Sequence, residues 1–190
     1  MREIFKEIWE LAKPYLDTRD NEIHTKMSVE FGYKLLKAEG GDEDVVIPAI
    51  MLHDVGWKKV PADMQLKGFG PKVILPELTK IHEDEGVKIA RDILEKINYE
   101  SDKTEEILRI VGGHDSRKEP ISLNDKLVKD ADKLFRYTRE YLDIYAEKFE
   151  LTHDQMHARH EKKLAMWFLT HSGSEMAKAE LEKRLKEKSN

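Results

Sequence analysis

Three observations on the sequence predict an all-α protein. Apolar residues recur at three- and four-residue spacings in segment after segment, as on one face of a helix. Glycine or proline stands between most of these segments, and no stretch alternates apolar and polar residues as a half-exposed strand would. The 190 residues are enough for one domain with a substantial core. We therefore expect a single-domain helical bundle over residues 1–190, with its motifs at about 20–140 and further helices at 150–187.

The first half of the chain predicts three helices. The second begins after Asp20 and ends at two adjacent glycines, and its apolar face includes His24. The third begins at Asp42 or Asp44 and carries His53 on its apolar face, with Asp54 at its end. The first two helices are expected at about 2–16 and 21–38, and the third ends at Asp54.

The second half predicts five more helices, most of them with a clear apolar stripe. The first two place His82 and His114 on that stripe. The last is alternately charged, and we expect it to be solvated. These helices are expected at about 79–97, 103–114 and 122–146, from about 152 onward, and at about 173–187.

Residues 55–78 break the helical pattern because glycines and prolines punctuate them. Structureless segments of this length are uncommon in compact domains and are usually functional. We expect a lid over the site, with a plain surface loop as the alternative. Trp57 would then form part of a hydrophobic substrate wall, although an anchoring role in the core fits its residue type equally well.

Composition excludes several classes of protein. The net charge is -5 and the basic residues are scattered among acidic ones, which argues against a nucleic acid polymer as partner. The absence of cysteine excludes disulfides and thiolate metal sites. No apolar run is long enough to cross a membrane, and the N-terminus lacks the apolar core of a signal peptide. We expect a cytoplasmic protein that acts on a small molecule, and a homodimer stays open.

Four histidines lie on the apolar faces of four different predicted helices: His24, His53, His82 and His114. One such histidine is commonly a hydrogen-bonded core residue. Four of them, with Asp54 beside His53, are hard to explain as independent core choices and indicate a metal site. Imidazole and carboxylate without sulfur suit manganese, iron, cobalt or magnesium as well as zinc. An acidic ligand on the helix at 122–146 could be Asp130 or Asp132, which flank its apolar stripe on opposite sides.

Together these motifs resemble the HD-domain superfamily of metal-dependent phosphohydrolases, whose pattern is a His, a His-Asp doublet and a distant Asp. The resemblance covers about residues 20–140. It implies that the first four ligands are His24, His53 and Asp54 in "MLHDVGW", and Asp132 in "LVKDADKL", with Asp130 as the runner-up. His82 in "IHEDEG" and His114 in "GGHDS" match the two further histidines of members that hold two ions.

The resemblance implies a small stand-alone hydrolase that cleaves a nucleotide or other small phosphate ester with a metal-bound hydroxide. The matched residues do not specify the substrate. Trp57 stands where one branch of the superfamily has a lysine and another a glutamate. Two alternatives stay open: a di-iron oxygenase on the same scaffold, and a non-catalytic, metal-stabilised sensor or ligand-binding module.

Further residues are expected to assist hydrolysis. Asp54 would bridge two metal ions, and Asp115 would shuttle a proton or orient a ligand. Lys133 and Arg136 are the best phosphate-binding candidates because they share a helix with Asp132. The other cations near predicted ligands are Lys58, Lys59, Arg117 and Lys118.

A second histidine group needs an explanation. His153, His157 and His160 share a helical face at a spacing that helical metal pairs use. The segment does not read His-Glu-x-x-His, however, and it is rich in charged and amide residues. We expect an exposed polar face there, and not a ligand cluster.

Overall fold

The computed structural model describes residues 1–188, with side chains up to residue 186, and the described chain is helical without a strand. This confirms the all-α prediction. Two short 3₁₀ turns lie at Lys13–Tyr15 and Val55–Lys59. The α-helices are α1 (Glu3–Ala12), α2 (Asn21–Glu39), α3 (Glu43–Leu52), α4 (Ala62–Gly68), α5 (Glu77–Lys96), α6 (Ser101–Val111), α7 (Leu123–Phe135), α8 (Arg139–Lys148), α9 (His153–Trp167) and α10 (His171–Lys188).

Helix α3 is the centre of the molecule. Its residues 45–52 are all buried, and it packs against α1, α2, α6 and α7. A helix that is apolar on every side is stable only where other helices cover every side. The end of α3 therefore lies inside the core. Packing around this helix sets the position of the doublet His53-Asp54.

Pro48 lies inside α3 and cannot donate the backbone hydrogen bond that its position requires. The carbonyl of Asp44, four residues earlier, loses its helical partner as a result. Tyr99 supplies a replacement, since its hydroxyl donates to that carbonyl at 2.8 Å. The start of α3 is thus tied to the loop that follows α5.

The helix expected at 122–146 is wrong in one respect, because it is two helices. The chain breaks at residues 136–138 between α7 and α8, where Thr138 becomes the N-cap. Its side chain accepts a hydrogen bond from the backbone nitrogen of Tyr141 at 3.3 Å. Apolar residues continue on both sides of the break, and this hides it from a periodicity argument.

The expectation of a structureless segment at 55–78 is wrong for residues 55–68. A 3₁₀ turn whose first three residues are buried occupies Val55–Lys59, and α4 follows at Ala62–Gly68. Gln65 is buried and donates to the carbonyls of Trp57 and Val60, so α4 is fastened to the turn. Glycine and proline here end and begin short helices, which are too brief to show an apolar stripe.

Gly56 permits the closest backbone approach near the doublet. A Cβ atom at this position would lie 1.9 Å from the carbonyl oxygen of His82 and 2.5 Å from the nitrogen of Gly86. We expect Gly56→Ala to lower the free energy of unfolding by about 3 kcal/mol or more, because backbone atoms of α5 would have to move. Urea denaturation measures this loss.

Gly86 provides the matched control for that experiment. It lies in the interior of α5, and a Cβ atom there would find Val111 Cγ1 at 3.4 Å, an ordinary contact. Gly86→Ala should leave stability unchanged or raise it by up to about 1 kcal/mol, since alanine favours helix. Equal stability of the two variants would contradict the close-approach explanation.

Helices α9 and α10 cover one side of the bundle. The expectation of a solvated last helix is wrong for one face of α10, where Ala177 and Leu181 join the main core. Arg184 is buried there too, and its Nη1 donates to the carbonyls of Tyr137 and Thr138.

In the described part of the chain, no helix has the length and apolarity to span a membrane.

Candidate metal centre

The four predicted histidines converge in the core from four directions. His24 lies in α2, His53 follows α3, His82 lies in α5 and His114 follows α6. All four are buried. Asp54 lies among them, and every one of these side chains offers a nitrogen or oxygen that metal ions bind.

One half of the cluster contains His24, His53 and Asp132. The two Nε2 atoms are 2.9 Å apart, and Asp132 Oδ1 lies 3.3 Å from His24 Nε2 and 3.8 Å from His53 Nε2. Asp54 Oδ2 is 3.6 Å and 3.7 Å from the same two nitrogens. Ligand atoms about 2.1 Å from a shared ion lie roughly 3.0–3.5 Å from each other, so this group has nearly the required spacing.

The other half contains His82, His114 and Asp115. The Nε2 atoms of the histidines are 3.3 Å apart. Asp115 Oδ2 lies 3.6 Å from His82 Nε2 and 3.8 Å from His114 Nε2. Asp54 Oδ1 is 3.9 Å and 3.5 Å from these nitrogens. One oxygen of Asp54 therefore faces each half, which is the arrangement of a bridging carboxylate.

The histidine tautomers favour a cation. The Nδ1 atom of three rings is within hydrogen-bonding distance of a backbone carbonyl three or four residues earlier. A neutral ring that donates from Nδ1 presents a lone pair at Nε2. If both rings are neutral, the Nε2 atoms of His82 and His114 face each other as two acceptors, which either a proton or a divalent ion between them reconciles. The three pairs are His53–Ile50 at 2.6 Å, His82–Leu78 at 3.1 Å and His114–Val111 at 2.8 Å.

The electrostatics of the cluster agree with this fit. Burial lowers the pKa of His53 to about 4, so its ring is neutral at physiological pH and free to bind metal. Burial alone would also lower the pKa of His114, but the carboxylates of Asp115 and Asp54 raise it to about 9. The pKa of Asp132 is lowered by Arg136 and His24 against the effect of burial. The cluster attracts positive charge, and an ion bound there would displace a proton.

A cavity that is partly open to solvent lies beside the cluster and gives it access to a ligand. Carboxylates, guanidiniums and aromatic rings share its wall. Such a mixture of apolar walls and a few convergent polar groups is typical of small-molecule sites. The lining residues are Arg19, His24, Asp54, Trp57, Phe69, Asp115, Asp132, Phe135, Arg136, Tyr141 and Tyr145.

Comparison with known protein families agrees with the geometry. The HD domain model matches residues 21–137, which is more than half of the chain. The chain belongs to the HD domain family. The matched range holds all six predicted ligands of this HD domain, from His24 to Asp132. No curated protein matches the chain in sequence.

A solved structure resembles this HD domain protein over most of its length. It is the crystal structure of a predicted HD superfamily hydrolase from an uncultured Thermotogales bacterium. The TM-score is 0.63 over 95% of this chain and 87% of that chain, at 19% sequence identity. At this identity the likeness shows the fold. With the family match, it supports a metal-dependent hydrolase, for which the buried cluster supplies candidate ligands.

The structure separates the two acidic candidates that periodicity left open. Asp132 lies in the cluster. Asp130 points to the other side of α7 and accepts hydrogen bonds from the backbone of Leu169 and Thr170 and from the Thr170 hydroxyl. Asp130 therefore fixes the start of α10, and only Asp132 is placed to bind a metal.

Trp57 belongs to the centre, though not as part of a lid. Its ring is 1% exposed and stacks on His82 with centroids 4.3 Å apart. Its Nε1 atom donates to Asp54 Oδ1 at 3.1 Å, while one edge of the ring lines the cavity. Trp57 thus orients two candidate ligands at once.

The predicted cations do not all reach the cavity. Arg136 does, with its Nη2 3.5 Å from Asp132 Oδ2. Lys133 turns away and donates to the carbonyl of Trp167 at 3.0 Å. Lys58 is exposed and paired with Asp17 at 2.5 Å, so the expectation that these two lysines contact substrate is not supported by their positions. Exposed Lys59 and Lys118 do not line the cavity either, and Arg117 pairs with Asp125.

Three residues of the centre are missing from the sequence prediction. Arg19 lines the cavity from the turn before α2. Buried Glu83 accepts from the backbone nitrogens of Asp115 and Ser116, which positions the carboxylate of Asp115. Buried Lys129 donates to the carbonyls of residues 113, 114 and 117 in the same loop. For Glu83 the sequence offered a signal, because a charged residue on the apolar stripe of a helix indicates a buried polar contact.

The exposed face expected for the second histidine group is wrong for two of its members. His157 and His160 are buried, and only His153 lies near the surface. Among the described residues, neither buried histidine belongs to a group with metal-ligand spacing. His160 instead packs among the rings of Tyr137, Tyr141 and Trp167. These aromatic neighbours make His160 a core residue.

His160 should make stability depend on pH. Burial, with Arg184 and Arg136, lowers its pKa from the ordinary 6.5 to about 3. The unfolded chain therefore binds a proton between these values that the folded protein does not, so stability falls as pH falls through this window. We expect His160→Leu to reduce the slope of unfolding free energy against pH, between pH 4 and 6, by up to about 1.4 kcal/mol per unit. Urea titrations that return the parental slope would contradict this.

Proposed function

We propose that this HD domain protein is a metal-dependent phosphohydrolase that cleaves a nucleotide or another small phosphate ester. The observation that carries the proposal is the pairing of the buried ligand cluster with Arg19 in one cavity. Arg19 contacts both Trp57 and Phe69, with its guanidinium carbon 4.1 Å and 3.8 Å from their ring centroids. Its buried Nε and Nη1 atoms have no hydrogen-bond partner among the described residues, although Nη1 lies 4.0 Å from Asp54 Oδ2 as an ion pair.

Unsatisfied buried donors of this kind fit a phosphate. Leaving guanidinium N–H groups without acceptors is costly, and phosphate oxygens match their planar geometry. Arg136 provides a second guanidinium on the same wall. Together the two arginines would hold a phosphate ester against the cluster and neutralise charge that develops on its oxygens.

His24, His53, Asp54 and Asp132 would hold one divalent ion, and His82 and His114 would hold a second, with Asp54 shared. Such ions act as Lewis acids on a phosphoryl oxygen and lower the pKa of water. Asp115, whose side chain is 30% exposed at the cavity, would pass a proton to the departing oxygen or to solvent. Trp57 and the buried walls would exclude bulk water from the ligands.

A substrate screen tests the proposal. The protein, stripped with a chelator and reloaded with manganese, cobalt, magnesium, iron or zinc, is assayed for phosphate release from nucleotides and sugar phosphates. We expect hydrolysis of at least one ester class with at least one metal, and none after stripping. Dioxygen consumption with iron but no phosphate release would contradict the proposal and favour an oxygenase. Tight ligand binding without turnover would favour a sensor.

A further inference from the structure

A second cavity adjoins the metal cavity. It is partly open to solvent and shares Arg136 and Tyr141 with the first cavity, so the two are neighbours across those side chains. It lies between α9 and the segment that follows α4. Its other lining residues are Gly70, Pro71, Met156, Arg159, His160, Lys163 and Trp167.

The second cavity is strongly cationic. Arg136, Arg159 and Lys163 line it, and no carboxylate does within the part of the chain that the structure describes. Burial and the guanidiniums of Arg136 and Arg159 all lower the pKa of Lys163. These positive groups therefore repel one another in a partly buried space, where solvent screens them weakly.

The positive groups are held in place by apolar and backbone contacts. Lys163 Nζ lies 4.3 Å from the ring centroid of Trp167. Arg159 Nη2 donates to the carbonyl of Pro71 at 3.1 Å. Arg136 also faces Asp132 at 3.5 Å, whereas Arg159 and Lys163 meet no carboxylate among the residues that line the cavity. Convergent cations with so little counter-charge form a candidate site for a multiply charged anion.

We propose that the second cavity binds a second phosphate group of the substrate, apart from the phosphate that is cleaved at the metal centre. This inference rests on the proposed function for the identity of the first cavity. Arg136 would then lie between the two phosphates. The substrate class becomes a small molecule with two separated phosphate groups, and a simple monophosphate would fill only half of the site.

Binding measurements test this without requiring turnover. The probes are α,ω-alkanediol bisphosphates of increasing chain length and the matching monophosphates, titrated calorimetrically into the metal-loaded protein. We expect one bisphosphate to bind at least about 10-fold more tightly than its monophosphate, the effect of one charge-assisted contact set. Lys163→Met and Arg159→Gln should each remove most of that advantage and leave monophosphate affinity unchanged.

Lys162→Met is the matched control, because Lys162 is the exposed neighbour of Lys163, lies outside the cavity and carries the same charge. This variant should keep the parental ratio of bisphosphate affinity to monophosphate affinity. The proposal is overturned if no chain length gives an advantage, or if the advantage survives both cavity substitutions in variants whose melting shows that they are folded. If the protein hydrolyses no ester yet keeps the Lys163-dependent advantage, the proposed function fails while the second anion site stands.

Discussion

Replacing His53 by alanine is expected to remove bound metal and to lower kcat/KM for the best phosphate ester on the order of 10³-fold. The ring is fully buried, and its Nε2 lies within 4 Å of candidate ligand atoms from His24, Asp54 and Asp132. Metal ions contribute several kcal/mol of transition-state stabilisation, and each 1.4 kcal/mol is tenfold in rate. Elemental analysis and steady-state kinetics on the same preparation measure both losses.

The matched control is His157→Ala, which truncates a buried histidine outside the cluster. It should keep the metal and the parental kcat/KM even if it melts earlier. Asp54→Ala should behave like His53→Ala and should empty both halves of the centre, since one oxygen of Asp54 faces each half. Full metal stoichiometry in either cluster variant would contradict the ligand assignment.

Replacing Arg19 by methionine is expected to lower kcat/KM by roughly 10²–10³-fold while the metal content stays parental, which is the usual cost of removing a preorganised donor to a developing oxyanion. Methionine keeps much of the contact with Trp57 and Phe69 but has no donor. Arg19→Lys should recover only part of the loss, because an ammonium lacks the planar fork that matches a phosphate.

Arg91→Met is the control for a lost guanidinium, since Arg91 is paired with Glu105 on the surface. Its kinetics should match those of the parent protein. If Arg19→Met keeps the parental kcat/KM with parental metal content, Arg19 does not contact the substrate, and the unsatisfied donors have a structural explanation instead.

Helical periodicity in the sequence predicted which side chains of the candidate metal centre point inward. His24, His53 and His82 lie on apolar helical faces, and periodicity placed them inward without knowledge of the tertiary fold. The choice of Asp132 over Asp130 needed the family resemblance, because both are buried and they differ only in the neighbour that each side of α7 meets.

Other features depend on contacts between distant segments. Arg19 sits in a turn with a positive φ of 55°, where no period indicates a direction, and its partners come from residues 57 and 69. His160 looks polar in its own segment but meets an aromatic cluster from α8 and its surroundings. The break at Thr138 and the short helix α4 were missed because a cap or a two-turn helix leaves little trace in an apolar pattern.

The central claim is that the buried cluster holds divalent metal, and anomalous diffraction tests it most directly. A crystal soaked in manganese, with data collected near the manganese absorption edge, should show two peaks. One is expected among His24, His53 and Asp132, and the other among His82, His114 and Asp115, with Asp54 between them. A single peak would contradict the two-ion arrangement, and the absence of any peak within the cluster would contradict the metal centre itself.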